Sequence, residues 1–374
     1  MKTWKKVTLR EVADIIPGYA FKGEDFCITG APVIKIKDIN PPSVLYNTLE
    51  RVDLSRYKNK NIEKYTAAKN DFVIAMTGAT IGKVGKIRFS DIVYINQRVA
   101  KIRPKDAVCW DFIYYCAISN LFYQHIINNI DSNSAQENIS ATSIGSFSFY
   151  LPPLPEQKTI AAVLGSLDDK IDLLQRQNVT LEAMAETIFR QYFIDGMQER
   201  WRRCKLSDVL ELNYGKALKE KDRSGVGFPV VGSNGIIGYH DTYLIKGPGI
   251  VIGRKGTIGK TLFIYENFYP IDTTYYITPK KDYYNVYYIY FLLKFINFSD
   301  LNTDSAVPGL NRTTALSLEV YDHPEYLIDK FCLLVYNFFS KIHANQKQIR
   351  TLEKLRDTLL PKLMSGEVRV RVDG

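Results

Sequence analysis

The stretch Gly253-Arg254-Lys255-Gly256-Thr257-Ile258-Gly259-Lys260-Thr261 has the residue types of a phosphate cradle. A P-loop requires G-x4-G-K-[ST], so that backbone amides wrap the phosphates and the hydroxyl meets magnesium. Here five residues separate Gly253 from Gly259, and Arg254 stands where the first glycine belongs. The related stretch Gly78 to Lys83 runs into Val84, which has no hydroxyl. Both are better explained as glycine-rich turns between strands, with basic residues at the tip. Asn40-Pro41-Pro42-Ser43 shares Asn-Pro-Pro with the amino-methyltransferase tetrapeptide, but it lacks the aromatic that stacks on a flipped base. No cofactor loop precedes it, so a proline turn is expected. His125, His240, His323 and His343 are scattered, and none sits at metal-ligand spacing from Cys or Asp. Asp168-Asp169 is expected on a solvated helix face. With no Ser-His-Asp or GxSxG context either, the residues describe a binder rather than a catalyst.

The binding candidates are basic residues at turns. In the first half they are Lys22, Lys35, Lys37, Lys83, Lys86, Arg98 and Lys101; in the second, Lys216, Lys219, Lys221, Arg254, Lys255 and Lys260. Phosphate contacts from such residues position a protein on nucleic acid, while Arg, Lys, Asn or Gln read base edges. The formal charge is +9 and the pI about 9.0. Residues 156–193 and 325–364, the helices described next, sum to +1, which leaves +8 elsewhere. Basic globular segments on a nearly neutral strut point to a polyanion, most often nucleic acid.

Those segments must be held by something, and two long helices are legible. Ile160, Leu164, Leu167, Ile171, Leu174, Asn178, Leu181, Ala185, Ile188 and Tyr192 alternate spacings of four and three, an a/d seam. At 1.5 Å per residue a helix over 155–193 is roughly 57 Å long, a strut rather than a core helix. A second seam runs Phe331, Val335, Phe338, Ile342, Asn345, Ile349, Leu352, Arg356, Leu359, Leu363, offset from the first by 171. Both follow Pro-Glu, suited to a helix start, and both reach a glycine, Gly196 and Gly366, suited to a left-handed cap. Pro361 is a place for the second helix to kink or end a turn early.

The globular parts repeat as well. Trp4, Leu9, Val12, Gly18 and Ala20 match Trp201, Leu206, Val209, Gly215 and Ala217 at an offset of 197; Thr80 to Lys83 match Thr257 to Lys260 at 177; Ser134-Ala135 and Ile139 match Ser305-Ala306 and Leu310 at 171. The first segment is longer, mainly between Tyr19 and Ile74. Short β-branched runs predict strands at 33–36, 72–75, 84–89 and 100–102, and again at 229–231, 250–252, 262–265 and 275–277. Residues 110–127 and 283–295 read as helices whose aromatics belong to the core. The fold class is α+β, a pseudo-two-fold internal repeat with boundaries at 1–150, 151–196, 197–322 and 323–374.

Five cysteines without a CxxC pair fit reduced thiols in a cytoplasm. The residues following Met1 form no apolar signal core, and the longest apolar run, 287–293, is too short for a bilayer.

Gly18-Tyr19-Ala20-Phe21-Lys22, Thr77 to Lys83, Ser134-Ala135-Gln136, and Leu151-Pro152-Pro153-Leu154-Pro155-Glu156-Gln157 running into Ser166-Leu167-Asp168-Asp169-Lys170-Ile171 resemble the specificity (S) subunit of type I restriction–modification systems over the whole chain. The resemblance implies two target-recognition domains, each reading half of a bipartite double-stranded DNA site. It also implies that the helices pair as an antiparallel coiled coil, set the half-site spacing and dock two methyltransferase (modification) subunits, through which restriction subunits join. Cofactor and chemistry would belong to those partners. The second copy departs from the pattern at Asp322-His323-Pro324 and Val307-Pro308-Gly309. Two other readings are a self-contained adenine methyltransferase, which needs the missing cofactor loop, and a coiled-coil adaptor without nucleic acid.

Antiparallel pairing about the helix middles makes facing residues sum to 523. The layers then run from Ile160/Leu363 to Tyr192/Phe331, with Asn178 against Asn345 as a register pin. Leu167/Arg356 is the weak layer, with Arg356 expected to snorkel to the edge.

Overall fold

The computed structural model describes residues 4–131, 137–296, 298 and 309–370. Ser134-Ala135-Gln136, Ser305-Ala306 and Val307-Pro308 lie outside the described residues. The chain forms two compact units, residues 1–171 with 350–374, and residues 172–349. Both long helices, Leu154–Phe189 and Glu325–Ser365, contribute one part to each unit.

In the first unit, strands Ala13–Pro17, Val99–Pro104, Phe72–Ala75, Val84–Lys86, Ser43–Val44 and Ile39–Asn40 lie side by side in that order. A second sheet orders Phe26–Cys27, Glu50–Val52, Ala31–Ile34, Val93–Ile95 and Thr66–Ala67. Most of its strands come from the extra residues between Tyr19 and Ile74. Phe72–Ala75 is buried on both faces, which explains its unbroken apolar run. Its period of two deals Phe72 and Ile74 into one core with Phe112, Ile160 and Leu164, and Val73 and Ala75 into another with Ile34 and Ile95.

The second unit has a sheet of Leu210–Tyr214, Thr274–Pro279, Gly249–Gly253 and Thr261–Ile264, and a smaller one of Gly235–His240, Phe228–Gly232 and Tyr269–Pro270. Gly249–Gly253 divides its residues the same way: Ile250 and Ile252 join Phe189, Phe331 and Val335, while Val251 joins Val231 and Phe268.

The repeat is visible bond by bond. Leu9 N–H donates to Phe147 O and Leu206 N–H to Leu318 O, both at 2.8 Å; Lys105 N–H donates to Val12 O and Lys280 N–H to Val209 O, both at 2.9 Å. Gly18 and Gly215 also coincide. A Cβ at Gly18 would lie 2.2 Å from Asn96 O, and one at Gly215 2.2 Å from Ile271 O, so both turns need glycine for close backbone approach. The glycine-rich turns join strands, not a strand to a helix. The first is one residue longer: Ala75 N–H bonds Lys83 O, whereas Gly253 N–H bonds Lys260 O.

Within each unit the long helices run antiparallel. In the first, Arg356 meets Asp168, and Arg369, just past the end of the second helix, meets Glu156 near the start of the first; in the second, Asn345 meets Asn178 and Phe331 meets Phe189. Asn345 Nδ2 donates to Asn178 Oδ1 at 2.8 Å and to Gln177 Oε1 at 2.9 Å. Asn345 is buried, and its Oδ1 has no donor among the described residues.

Some expectations need correction. Asp168 is not on a solvated face: it is 6% exposed, accepts from Tyr115 Oη at 2.8 Å and pairs with Arg356 at 2.9 Å. Arg356 therefore does not snorkel outward; it turns to Asp168, with Asp357 as its second partner. Residues 110–127 are two helices, Trp110–Ala117 and Asn120–Asn128, because Ser119 caps the second through the Phe122 amide. Trp110 and Tyr123 are exposed, while Phe112, Tyr114, Tyr115 and Phe122 are core. The strand expected over 33–36 is Ala31–Ile34, followed by a 3-10 turn. The helix containing Pro361 continues to Ser365, where Gly366 takes φ +75°. Gly196 is not a left-handed cap. The first helix ends instead in a π turn, Arg190–Ile194, in which Asp195 N–H reaches Arg190 O.

The proline-rich entry has a local purpose. Gln157, 2% exposed, donates to Pro152 O at 2.8 Å and accepts from Cys109 N–H at 2.9 Å, tying the start of the long helix to that of Trp110–Ala117. Glu156 accepts from Trp4 Nε1 at 3.0 Å and pairs with Arg369 at 2.7 Å.

Candidate nucleic-acid interface

The basic candidates separate by burial. Lys101 is 9% exposed; its ammonium donates to Thr66 O and lies 3.6 Å from Asp71. It holds strands together and leaves the candidate set, because a buried cation cannot reach a phosphate. Lys86 is turned inward too, bonded to Asp111 at 2.7 Å and lying over the Tyr114 ring.

Lys35 and Lys37 both bond Glu50, and Lys35 also sits 3.7 Å above the Phe26 ring. Bonds from Lys35 and then Lys37 hold the Glu50 carboxyl below its usual range, and Glu50 in turn raises Lys37. The trio carries one net positive charge. It borders a cavity of about 390 Å³ that also exposes Gln97 and Arg98 beside Asn96. The side chains of Asn96, Gln97 and Arg98 have no hydrogen-bond partner among the described residues, so amide and guanidinium groups converge on one opening. Lys22 is exposed beside Glu24, and Lys83 is exposed at its turn.

In the second unit Lys216, Lys219, Lys221 and Lys255 are exposed. Lys260 is held by Asn234 through its carbonyl and side-chain oxygens, both at 2.9 Å. Arg254 donates to Asp272 O at 3.1 Å, and its guanidinium lies 4.9 Å from the Tyr214 ring centre and 5.8 Å from that of Tyr275. Arg312 approaches the Tyr214 ring as well, at 5.8 Å. Asn96, Gln97, Tyr214 and Arg312 were not expected from the sequence. Tyr214 could have been found, since it directly precedes the repeated Gly215.

The Type I restriction modification DNA specificity domain family matches residues 1–183 and 198–320. The chain belongs to this family. It is 25% identical over 319 residues to the type I restriction enzyme MjaIX specificity subunit of Methanocaldococcus jannaschii, covering 74% of this chain and 73% of that one. Over 175 residues it is 29% identical to the EcoBI specificity subunit of Escherichia coli, 46% of this chain and 33% of that one. The crystal structure of a type I restriction–modification S subunit from M. genitalium aligns with a TM-score of 0.60 at 18% identity, covering 97% of this chain and 96% of that one, a likeness of fold.

For a specificity-domain protein the remaining motifs are structural. Asn40 and Ser43 pair across a hairpin whose turn is Pro41-Pro42. His125 bonds Ser143 O, and His323, buried against Tyr288, Trp201 and Phe193, is pushed down to about 4 by burial. Among the described residues no three His, Cys, Asp or Glu side chains are grouped to hold a metal, and no helix is long and apolar enough to cross a membrane.

Proposed function

We propose that this chain is the DNA-sequence specificity subunit of a type I restriction–modification complex, working in the cytoplasm. Each unit reads one half of a bipartite double-stranded site. The paired helices set the number of unread base pairs between the halves and dock two methyltransferase subunits, with restriction subunits joining through these. The subunit itself is non-catalytic and takes no cofactor; methyl transfer belongs to its partners. The target-recognition domains are residues 1–150 and 197–322, and the spacers 151–196 and 323–374.

The observation that carries this reading is the pairing of one scaffold with two different polar surfaces. The backbone bonds of the two units repeat, yet one presents Asn96, Gln97 and Arg98 near Lys35 and Lys37, and the other Arg254 and Lys255 near Tyr214. Two copies of a reading head that face different sequences have this form, because phosphate contacts hold the register and base contacts distinguish the halves. The adenine methyltransferase alternative loses its motif to a proline hairpin.

The test is an exchange of residues 1–150 for those of another family member, with methylated motifs mapped in cells carrying the system. One half of the motif changes and the other stays. A change in both halves refutes the division of labour.

A further inference from the structure

Backbone hydrogen bonds align the two units residue by residue at one end of the sheet. Pro17 pairs with Ala100 in the first unit as Tyr214 pairs with Tyr275 in the second. Met76 receives the Ile139 amide as Arg254 receives that of Leu310, both at 2.9 Å. Ser140 caps the Ser143 amide as Asn311 caps that of Thr314, which sets Ala141 against Arg312. Tyr214, Arg254, Tyr275 and Arg312 therefore occupy the positions of Pro17, Met76, Ala100 and Ala141. The scaffold does not demand the change, since the same backbone bonds close around either set.

The four side chains form a braced cluster. Arg254 is fixed by the Asp272 carbonyl and two ring faces, and Tyr275 Oη donates to Leu310 O at 3.0 Å, anchoring the segment that carries Arg312. Tyr214 is 50% exposed, so the cluster opens to solvent. Among the described residues neither arginine pairs with a carboxylate, and Arg312 Nε is enclosed with no acceptor among them. A guanidinium held against aromatic faces is pre-organised, so little freedom is lost when its remaining N–H groups find a planar acceptor pair. Guanine offers such a pair in the major groove, O6 and N7, and a bidentate arginine is its commonest specific contact.

We propose that Arg254, braced by the Tyr214 and Tyr275 rings and the Asp272 carbonyl, reads a guanine in the half-site taken by the second unit. This rests on the reading of the chain as a DNA specificity subunit. Arg254 then selects sequence, whereas the exposed lysines of the unit, Lys216, Lys219 and Lys255, meet phosphates.

The experiment uses the complex of the full chain with its methyltransferase subunits and duplexes carrying the methylated motif mapped in cells. Each guanine of the second half-site is replaced in turn by 7-deazaguanine, which lacks N7. The wild-type complex is expected to lose about tenfold in affinity at one guanine. Arg254→Gln binds the unmodified duplex more weakly and loses nothing further at that guanine; substitutions in the first half-site affect both proteins alike. If every substitution weakens Arg254→Gln as it weakens wild type, the arginine is a phosphate contact and the proposal fails. If Arg254→Gln does not bind, Arg254→Lys decides, since it keeps the charge and loses the fork; persistence of the wild-type pattern overturns the proposal. A wild-type complex with no preference for the mapped motif overturns the underlying reading instead, and this inference with it.

Discussion

Asp168 and Arg356 show what one residue pair contributes in a repeat. Removing one member of a buried pair leaves a charge without compensation, which typically costs about 3–5 kcal/mol, whereas an apolar replacement of both is often neutral. The second unit supplies that replacement. At the offset of 171, Asp168 corresponds to Phe339 and Arg356 to Ala185, both buried. Asp168→Ala is expected to lower the unfolding free energy of the first unit by about 3 kcal/mol. Asp168→Phe with Arg356→Ala and Tyr115→Phe should return most of it, by urea denaturation. A triple variant no better than Asp168→Ala would show that the two solutions are not interchangeable. Asp168 was misread because its helix is polar on most sides and its partners, Tyr115 and Arg356, lie 53 and 188 residues away. His323 gives a pH prediction. Burial holds it neutral down to about 4 in the folded chain, while unfolded it takes a proton near 6.5. Its contribution is full above pH 6.5 and is lost as pH falls toward 4, about 3 kcal/mol in all. The groups around it are Asp322, which opposes the shift, and the Tyr288 hydroxyl. Urea midpoints between pH 7 and pH 4 should fall less steeply for His323→Phe than for wild type; equal slopes would remove His323 from the account.

At the scale of elements, the helices were the most legible part. A heptad seam is written in residues close in sequence, and the 171 offset brought its partner into view. The strands in each sheet centre, Phe72–Ala75 and Gly249–Gly253, were legible for a similar reason: burial on both faces writes an apolar run. Of the second sheet of the first unit only Ala31–Ile34 was legible, because strands as short as Phe26–Cys27 carry no period. Nor was the break at Ser119, which depends on a cap inside an apolar stretch. The Asn178–Asn345 contact makes an asymmetric prediction. Asn178→Leu leaves buried Asn345 with Gln177 as its one acceptor and should cost about 1 kcal/mol. Asn345→Leu removes an enclosed oxygen that has no donor among the described residues and leaves two partners nearer solvent, so its cost should fall below about 1 kcal/mol. Thermal denaturation of the two variants ranks them; the reverse order would contradict this account of the amides.

At the scale of the whole molecule, the proposed ruler makes a prediction in base pairs. One heptad inserted after Leu174, matched by one before Ile349 so that the seams stay paired, lengthens the helices by about 10 Å. At 3.4 Å per base pair that is about three further unread pairs. The methylated motif should keep both halves and gain those pairs between them. Unchanged spacing would refute the ruler. The repeat that underlies this expectation was readable from four matching stretches, while the Arg254 cluster proposed to read a base was not, because its side chains are gathered from several strands at one end of a sheet.

The division of the chain between Ile171 and Asp172, and again between Ile349 and Arg350, has a consequence for inheritance. Residues 172–349 form one uninterrupted coding segment, and it carries one proposed reading head together with its own share of both helices. Crossovers at these two points would transfer that head with its seam partners already matched, Asn178 travelling with Asn345. Crossovers at the ends of the globular segments would instead join seam residues of different parentage to a core they did not grow up with. Recombination between relatives should therefore yield active new specificities more often when its junctions fall inside the helices.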